Sequence, residues 1–218
     1  MFKSALLAAL ITALLFLNKV KAQEAYSIQL NGGIISPRNS TNGFTALLQF
    51  DYPLSSDIVF YVYSGYASWG QDKIAYLEDY SLIQRQTIFN SYSSDGHSLI
   101  PVYVGSRINL KEIKLFTAFV TVEMGFALLT YDSYTNIKNI NPLTGEVLSY
   151  VVDRSSKNEI DENLFGLGLG GGLNHRLTRN LDLIFSVKLN SHLNSKYYDF
   201  FSSKRTYAVF IAGLCFKI

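Results

Sequence analysis

Two histidines in this chain stand beside hydroxyls. His97 precedes Ser98 and follows Asp95 by two positions, and His192 follows Ser191. A serine becomes a nucleophile only when a histidine within hydrogen-bond reach takes its proton and a third group orients the ring. Either set would therefore suit acyl transfer or hydrolysis, with His97, Ser98 and His192 as the catalytic candidates. The plainer reading, solvated histidines near loop ends, is the one preferred here. His175, next to Arg176, reads as structural. No two histidines have metal-ligand spacing and Cys215 stands alone, so neither a metal nor any other cofactor is expected. The run Leu169-Gly170-Gly171-Gly172 is not a phosphate loop, since no Lys-Ser/Thr follows it.

A second set of chemically significant residues is Arg107, Glu123 and Lys188. Each falls on the polar side of an otherwise apolar alternating stretch. Charges held away from water persist only when paired and hydrogen-bonded. The expectation is a salt-bridged interior network whose role is plugging; a gate that rearranges to pass ions is the alternative.

The elements that carry these residues are strands, because apolar and polar side chains alternate with period two. Eight such stretches follow one another. Tyr26, Ile28 and Leu30 mark the first, and Phe44 to Tyr52 the second. Asp57 to Trp69 is the third, with its inside-outside phase left open. Ile100 to Leu110, Phe116 to Leu128, Asn163 to Leu177, Leu181 to Asn190 and Thr206 to Ile218 complete the set. Short turns at Pro53–Ser56, Lys111–Glu112 and Thr178–Asn180 alternate with longer polar connections at 37–42, 70–97, 132–162 and 194–205. That alternation is the habit of membrane barrels, and it puts both ends of the mature chain on the short-turn, periplasmic side. Composition agrees: 15 Tyr and 15 Phe against 4 Pro favour extended structure.

The first 22 residues separate from the rest. Lys3 provides a positive start, Ala5 to Leu17 an apolar run, and Val20-Lys21-Ala22 a small-residue cleavage site before Gln23. Residues 1–22 are thus expected to be a cleaved signal peptide and 23–218 a single β-barrel domain. Losing Lys3, Lys19 and Lys21 turns the formal net charge of +2 into a slight acidic excess. No polycationic surface remains for nucleic acid. One cysteine cannot form an intramolecular disulfide, which suits an exported barrel.

Backbone polar groups in lipid must be satisfied internally, so only helices and closed barrels span a bilayer. Ile113 to Tyr131 is long and apolar enough for a helix, but Glu123 near its middle would cost about 2.5–3.5 kcal/mol. In a barrel it can point inward. The fold expected is therefore all-β: an eight-stranded antiparallel up-and-down transmembrane barrel whose lumen is filled by side chains. Tyr66, Trp69, Tyr131, Phe165 and Tyr207 are expected in an outer aromatic girdle, with Tyr26, Phe50, Tyr52 and Phe216 in an inner one.

The Lys21-Ala22-Gln23 junction, Ile100-Pro101-Val102-Tyr103-Val104-Gly105 and the ending Gly213-Leu214-Cys215-Phe216-Lys217-Ile218 carry a resemblance to small outer-membrane barrels. The chain resembles the OmpX-like and OmpA-transmembrane type, in versions seen in Bacteroidetes-like bacteria. The chain departs from the pattern by ending in Ile218 where such barrels commonly end in Phe. The resemblance implies a bacterial outer-membrane location and contact with outer-membrane lipid.

The function expected is non-enzymatic. A monomeric barrel anchors the connections 70–97 and 132–162, rich in Tyr, Asn and Ser, for an extracellular partner or for envelope integrity. Two alternatives remain. One is a lipid A-modifying hydrolase or transferase, like enzymatic barrels that this chain resembles in strand number. The other is a soluble periplasmic lipocalin-like barrel with an apolar ligand inside.

Overall fold

The computed structural model describes residues 26–72, 75–81, 86–113, 116–196 and 202–218, with side chains described outside 73–92 and 111–115. The expected signal peptide lies outside these residues. The strands are β1 (Ser27–Pro37), β2 (Gly43–Pro53), β3 (Ile58–Trp69), β4 (Ala75–Ser81), β5 (Gln86–Ile113), β6 (Phe116–Ile140), β7 (Val147–Val152), β8 (Asn158–Arg176), β9 (Leu181–His192) and β10 (Thr206–Lys217). Every neighbouring pair is antiparallel. The pairing β5-β3-β2-β1-β10-β9-β8-β6 returns through β5–β6, which closes an eight-stranded barrel. Closure at β1–β10 joins the two ends of the described chain, from Ser27 opposite Lys217 to Pro37 opposite Tyr207.

Side-chain parity decides what the barrel is. Leu30, Ile34, Phe44, Leu48, Val102, Val122, Met124, Phe126, Leu169, Val187 and Phe210 face outward and are exposed. Gln29, Asn31, Asp51, Arg107, Glu123, Lys188 and Asn190 face inward and are buried. An apolar outside around a polar inside is the inverse of a water-soluble barrel. The lipocalin-like alternative, which needs an apolar lumen beneath a polar skin, is corrected by this arrangement.

The third strand, left open by its sequence, resolves into odd-in and even-out. Val59, Tyr61, Tyr63, Ala67 and Trp69 are buried, and Ile58, Phe60, Val62 and Tyr66 are exposed. Both parities are apolar because the inward set is mostly aromatic. Its tyrosines supply hydroxyls to the lumen, so hydropathy alone gives no phase.

Three boundaries differ from those expected. Lys111–Glu112 is not a turn: β5 continues to Ile113, with a register irregularity between Asn109 and Glu112. The connections 70–97 and 132–162 are largely strand. β4 and the outer part of β5 form one hairpin, and the outer part of β6 with β7 forms another. Beyond the bilayer neither face must be apolar, so the period-two pattern lapses although the hydrogen-bond ladder continues.

Candidate functional site: the filled lumen and its closed mouth

Glu123 on β6 is the centre of the lumen. It is 2% exposed, and its carboxylate accepts from Tyr61 Oη at 2.8 Å, Tyr63 Oη at 2.6 Å, Lys188 Nζ at 2.7 Å and Asn190 Nδ2 at 3.2 Å. Four donors occupy the lone-pair directions available to two oxygens. Lys188 Nζ also lies 4.2 Å from the centroid of Tyr63 and 5.1 Å from that of Tyr61, which adds cation–π attraction. Two glycines make room. A Cβ at Gly168 would stand 2.6 Å from Glu123 Cγ, and one at Gly105 the same distance from the Tyr61 ring.

Arg107 does not join this group. Its guanidinium pairs with Asp51 at 3.1 Å, nearer the inner end, and stacks over Phe119 at 5.5 Å. Asp51 also accepts from Gln29, from Gln49 Nε2 at 2.7 Å and from Ser27 Oγ at 3.4 Å. The three charges expected in one network therefore sit in two ion-paired clusters. Asp51 was missed by sequence reasoning. Its even spacing from Gln49 and its placement just before Tyr52-Pro53 were the available signals, and both are shared by ordinary turn-proximal aspartates.

Above Glu123 the lumen turns aromatic. Tyr63 stacks on Tyr103 with centroids 5.6 Å apart, and Asn190 Nδ2 donates to Tyr207 Oη at 3.3 Å. At the mouth, His97 lies between Trp69 at 4.8 Å and Tyr131 at 5.4 Å in a nearly parallel stack. Trp69, Tyr131 and Tyr207 are 2–3% exposed, so three residues expected in the outer girdle fill the lumen instead. They occupy inward parity near the outer edge of the belt, where an aromatic is equally at home inside or out. Tyr66 and Phe165 do face outward, against Phe44 and Phe126 respectively. At the inner rim Tyr26 packs with Phe50 and Tyr52, Phe216 is exposed, and His175 stacks on Phe116 at 4.5 Å.

The mouth is fastened by Lys204, from the connection before β10. It is 4% exposed, and its ammonium donates to Asp72 Oδ2 at 2.6 Å and Ser94 Oγ at 2.7 Å while lying 4.7 Å from the Tyr131 centroid. Ser94 Oγ in turn donates to Asp72 at 2.6 Å, and His97 Nε2 lies 3.4 Å from the same carboxylate. This latch ties the β9–β10 connection to the β3–β4 connection and to β5. Burial pushes the Asp72 carboxyl up, but His97 and the Lys204 charge outweigh it and hold the group well below the usual carboxylate range. A folded value below the unfolded one gives stability that is complete above the unfolded value and fades as pH falls toward the folded one. We expect Asp72→Asn to loosen the latch by about 1–3 kcal/mol at neutral pH. Amide hydrogen exchange at Ser94 and Lys204 reads this directly. The wild type should approach the variant's exchange only below about pH 4, and equal protection at pH 7 would refute the latch.

The hydrolase candidates do not assemble. His97 and Ser98 are consecutive strand residues and point to opposite faces, as do Ser191 and His192. His97 Nδ1 donates to the Gly70 carbonyl at 2.9 Å and His192 Nδ1 to the Lys204 carbonyl at 2.9 Å. Asp95, the would-be orienting acid, accepts from the Gly96 amide at 2.8 Å and faces Arg154 at 3.5 Å. Both rings are 0–1% exposed. They are posts that brace the mouth, without access to a substrate. Among the described residues no group of three or more metal-ligating side chains comes together.

No family model and no curated protein matches the chain. Among solved structures, a major outer membrane protein from Thermus thermophilus is similar over 89% of this chain and 100% of its own, with a TM-score of 0.51 at 11% identity. This chain has an outer-membrane β-barrel fold. Two further structures overlay less closely. Neisserial surface protein A has a TM-score of 0.49 at 13% identity, covering 88% of this chain and 97% of that one. Ail of Yersinia pestis, in complex with the heparin analogue sucrose octasulfate, also scores 0.49 at 11% identity, covering 90% and 100%. At such identities the likeness speaks for the barrel alone, and function rests on this chain's own lumen and outer hairpins.

Proposed function

We propose that this barrel is a non-enzymatic anchor of the bacterial outer membrane, delivered by a signal peptide cleaved after Ala22, and that it presents its outer hairpins for contact with an extracellular partner. The observation that carries this reading is the β6–β7 arm above a filled lumen. Ile140 lies ten residues beyond Thr130, which at about 3.3 Å per residue and a 40° tilt places the arm's tip roughly 25 Å outside the belt. On that arm Ile137 pairs with Val151 and Ile140 with Val147, all exposed, and Leu143 at the turn is 93% exposed. Apolar side chains held out in water on a projecting ribbon are a feature of contact surfaces. The lumen offers no comparable access, since Glu123, Lys188, Tyr103 and His97 are all buried. Closure of the sheet leaves no unpaired edge within the belt, which supports a monomer.

The arm can be removed without touching the barrel ladder. Replacing residues 137–151 by a short glycine-containing turn should leave the protein in carbonate-washed membranes and still resistant to unfolding in detergent. Attachment of expressing cells to a host-matrix surface should fall to the level of cells lacking the protein. Trypsin added to intact wild-type cells should cut at Lys138. A chain that leaves with the wash, or attachment unchanged by arm removal, would defeat the proposal.

A further inference from the structure

The two ion-paired clusters are separated by a cavity of about 20 Å³ lined by Gln29, Asn31, Arg107, Thr121, Ser186 and Lys188 among others. Arg107 Nε and Asn31 Oδ1 are buried and find no hydrogen-bond partner among the described residues, and the Thr121 hydroxyl, beside Tyr61, lines the same cavity. Leaving two such groups unpaired is costly, and their coincidence on one cavity asks for a common partner. We propose that this cavity is a binding site for a single structural water that joins the Asp51–Arg107 and Glu123–Lys188 pairs into one hydrogen-bonded column.

Size and chemistry both select the occupant. One water needs roughly 10–15 Å³ of such space and two to four polar partners. Arg107 Nε can only donate, Asn31 Oδ1 can only accept, and the Thr121 hydroxyl can do either. A water accepts from the guanidinium and donates to the amide oxygen at once. A halide could take the first bond but not make the second, and a cation would face Arg107 and Lys188. Charge on the walls is already balanced, with Arg107 against Asp51 at 3.1 Å and Lys188 against Glu123 at 2.7 Å. A neutral molecule with both donor and acceptor character fits without disturbing either pair.

The discriminating variant is Asn31→Leu in the full mature chain refolded into micelles. With water present, the change removes an acceptor that the water serves, and the thermal midpoint should fall by about 3 °C or more. In a dry cavity the same change deletes an orphan amide, so an equal or higher midpoint would overturn the proposal. A second readout is independent of stability. The Arg107 Nε–H proton should show a rotating-frame cross-peak to long-lived water in the wild type, and its absence would equally overturn the site. A midpoint that rises with chloride at constant ionic strength would assign the cavity to an anion and sink the water.

Discussion

Glu123→Ala is expected to destabilise the barrel by about 3–5 kcal/mol, enough to shift its urea midpoint far down or to prevent refolding. The loss is not that of one salt bridge. Removing the carboxylate strands the ammonium of Lys188, two phenol hydroxyls and the Asn190 amide in a lumen where none of them reaches bulk water. A stranded buried charge costs more than an intact pair contributes, so the paired variant Glu123→Leu with Lys188→Met should recover much of the loss. Trp69 is the single tryptophan, buried in the stack at the mouth, and its fluorescence reports the transition. If Glu123→Ala unfolded at the wild-type midpoint, the carboxylate could not be the centre of the lumen.

That prediction rests on a pairing only half legible in the sequence. Parity put Arg107, Glu123 and Lys188 inside, and the structure does place all three there. Parity carries no information about height, however. Barrel shear sets Glu123 level with Gly168 and Gly105 and leaves Arg107 opposite Thr121, one inward step closer to the inner end. Which charge meets which depends on that stagger, and stagger is fixed by turn geometry together with the whole ring of registers. The same blindness explains Trp69, Tyr131 and Tyr207. At the outer edge of the belt an aromatic pattern reads alike for a girdle and for a plug, and only the partner across the lumen decides. Lys204 was invisible for a different reason. Its bond to Asp72 spans 132 positions in sequence and joins two connections that no periodicity describes. By contrast most strands inside the belt were legible nearly to the residue, because lipid outside and polar groups inside impose period two; β3 is the exception, its inward set being as apolar as its outward one.

The outward face gives the second large effect. Val122 lies midway along β6 between Phe116 at the inner rim and Leu128 just past the Phe126–Phe165 pair, six residues from each. At about 3.3 Å per residue and a 40° tilt that is roughly 15 Å of height either way, which puts Val122 near the bilayer midplane. It is 53% exposed, and its neighbours across the ladder are Ser106 and Leu169. Val122→Arg should therefore cost about 2–4 kcal/mol in lipid vesicles, whereas Leu128→Arg, equally exposed but near the headgroups, should cost no more than about 1 kcal/mol. Both substitutions add the same cation to the same strand face, so propensity and local packing largely cancel and depth remains. The gradient exists only if the solvent facing Val122 is hydrocarbon. Were it water, arginine would be tolerated at both positions, and equal urea midpoints for the two variants would mean that the exposed apolar belt is not the surface that holds this barrel in a membrane.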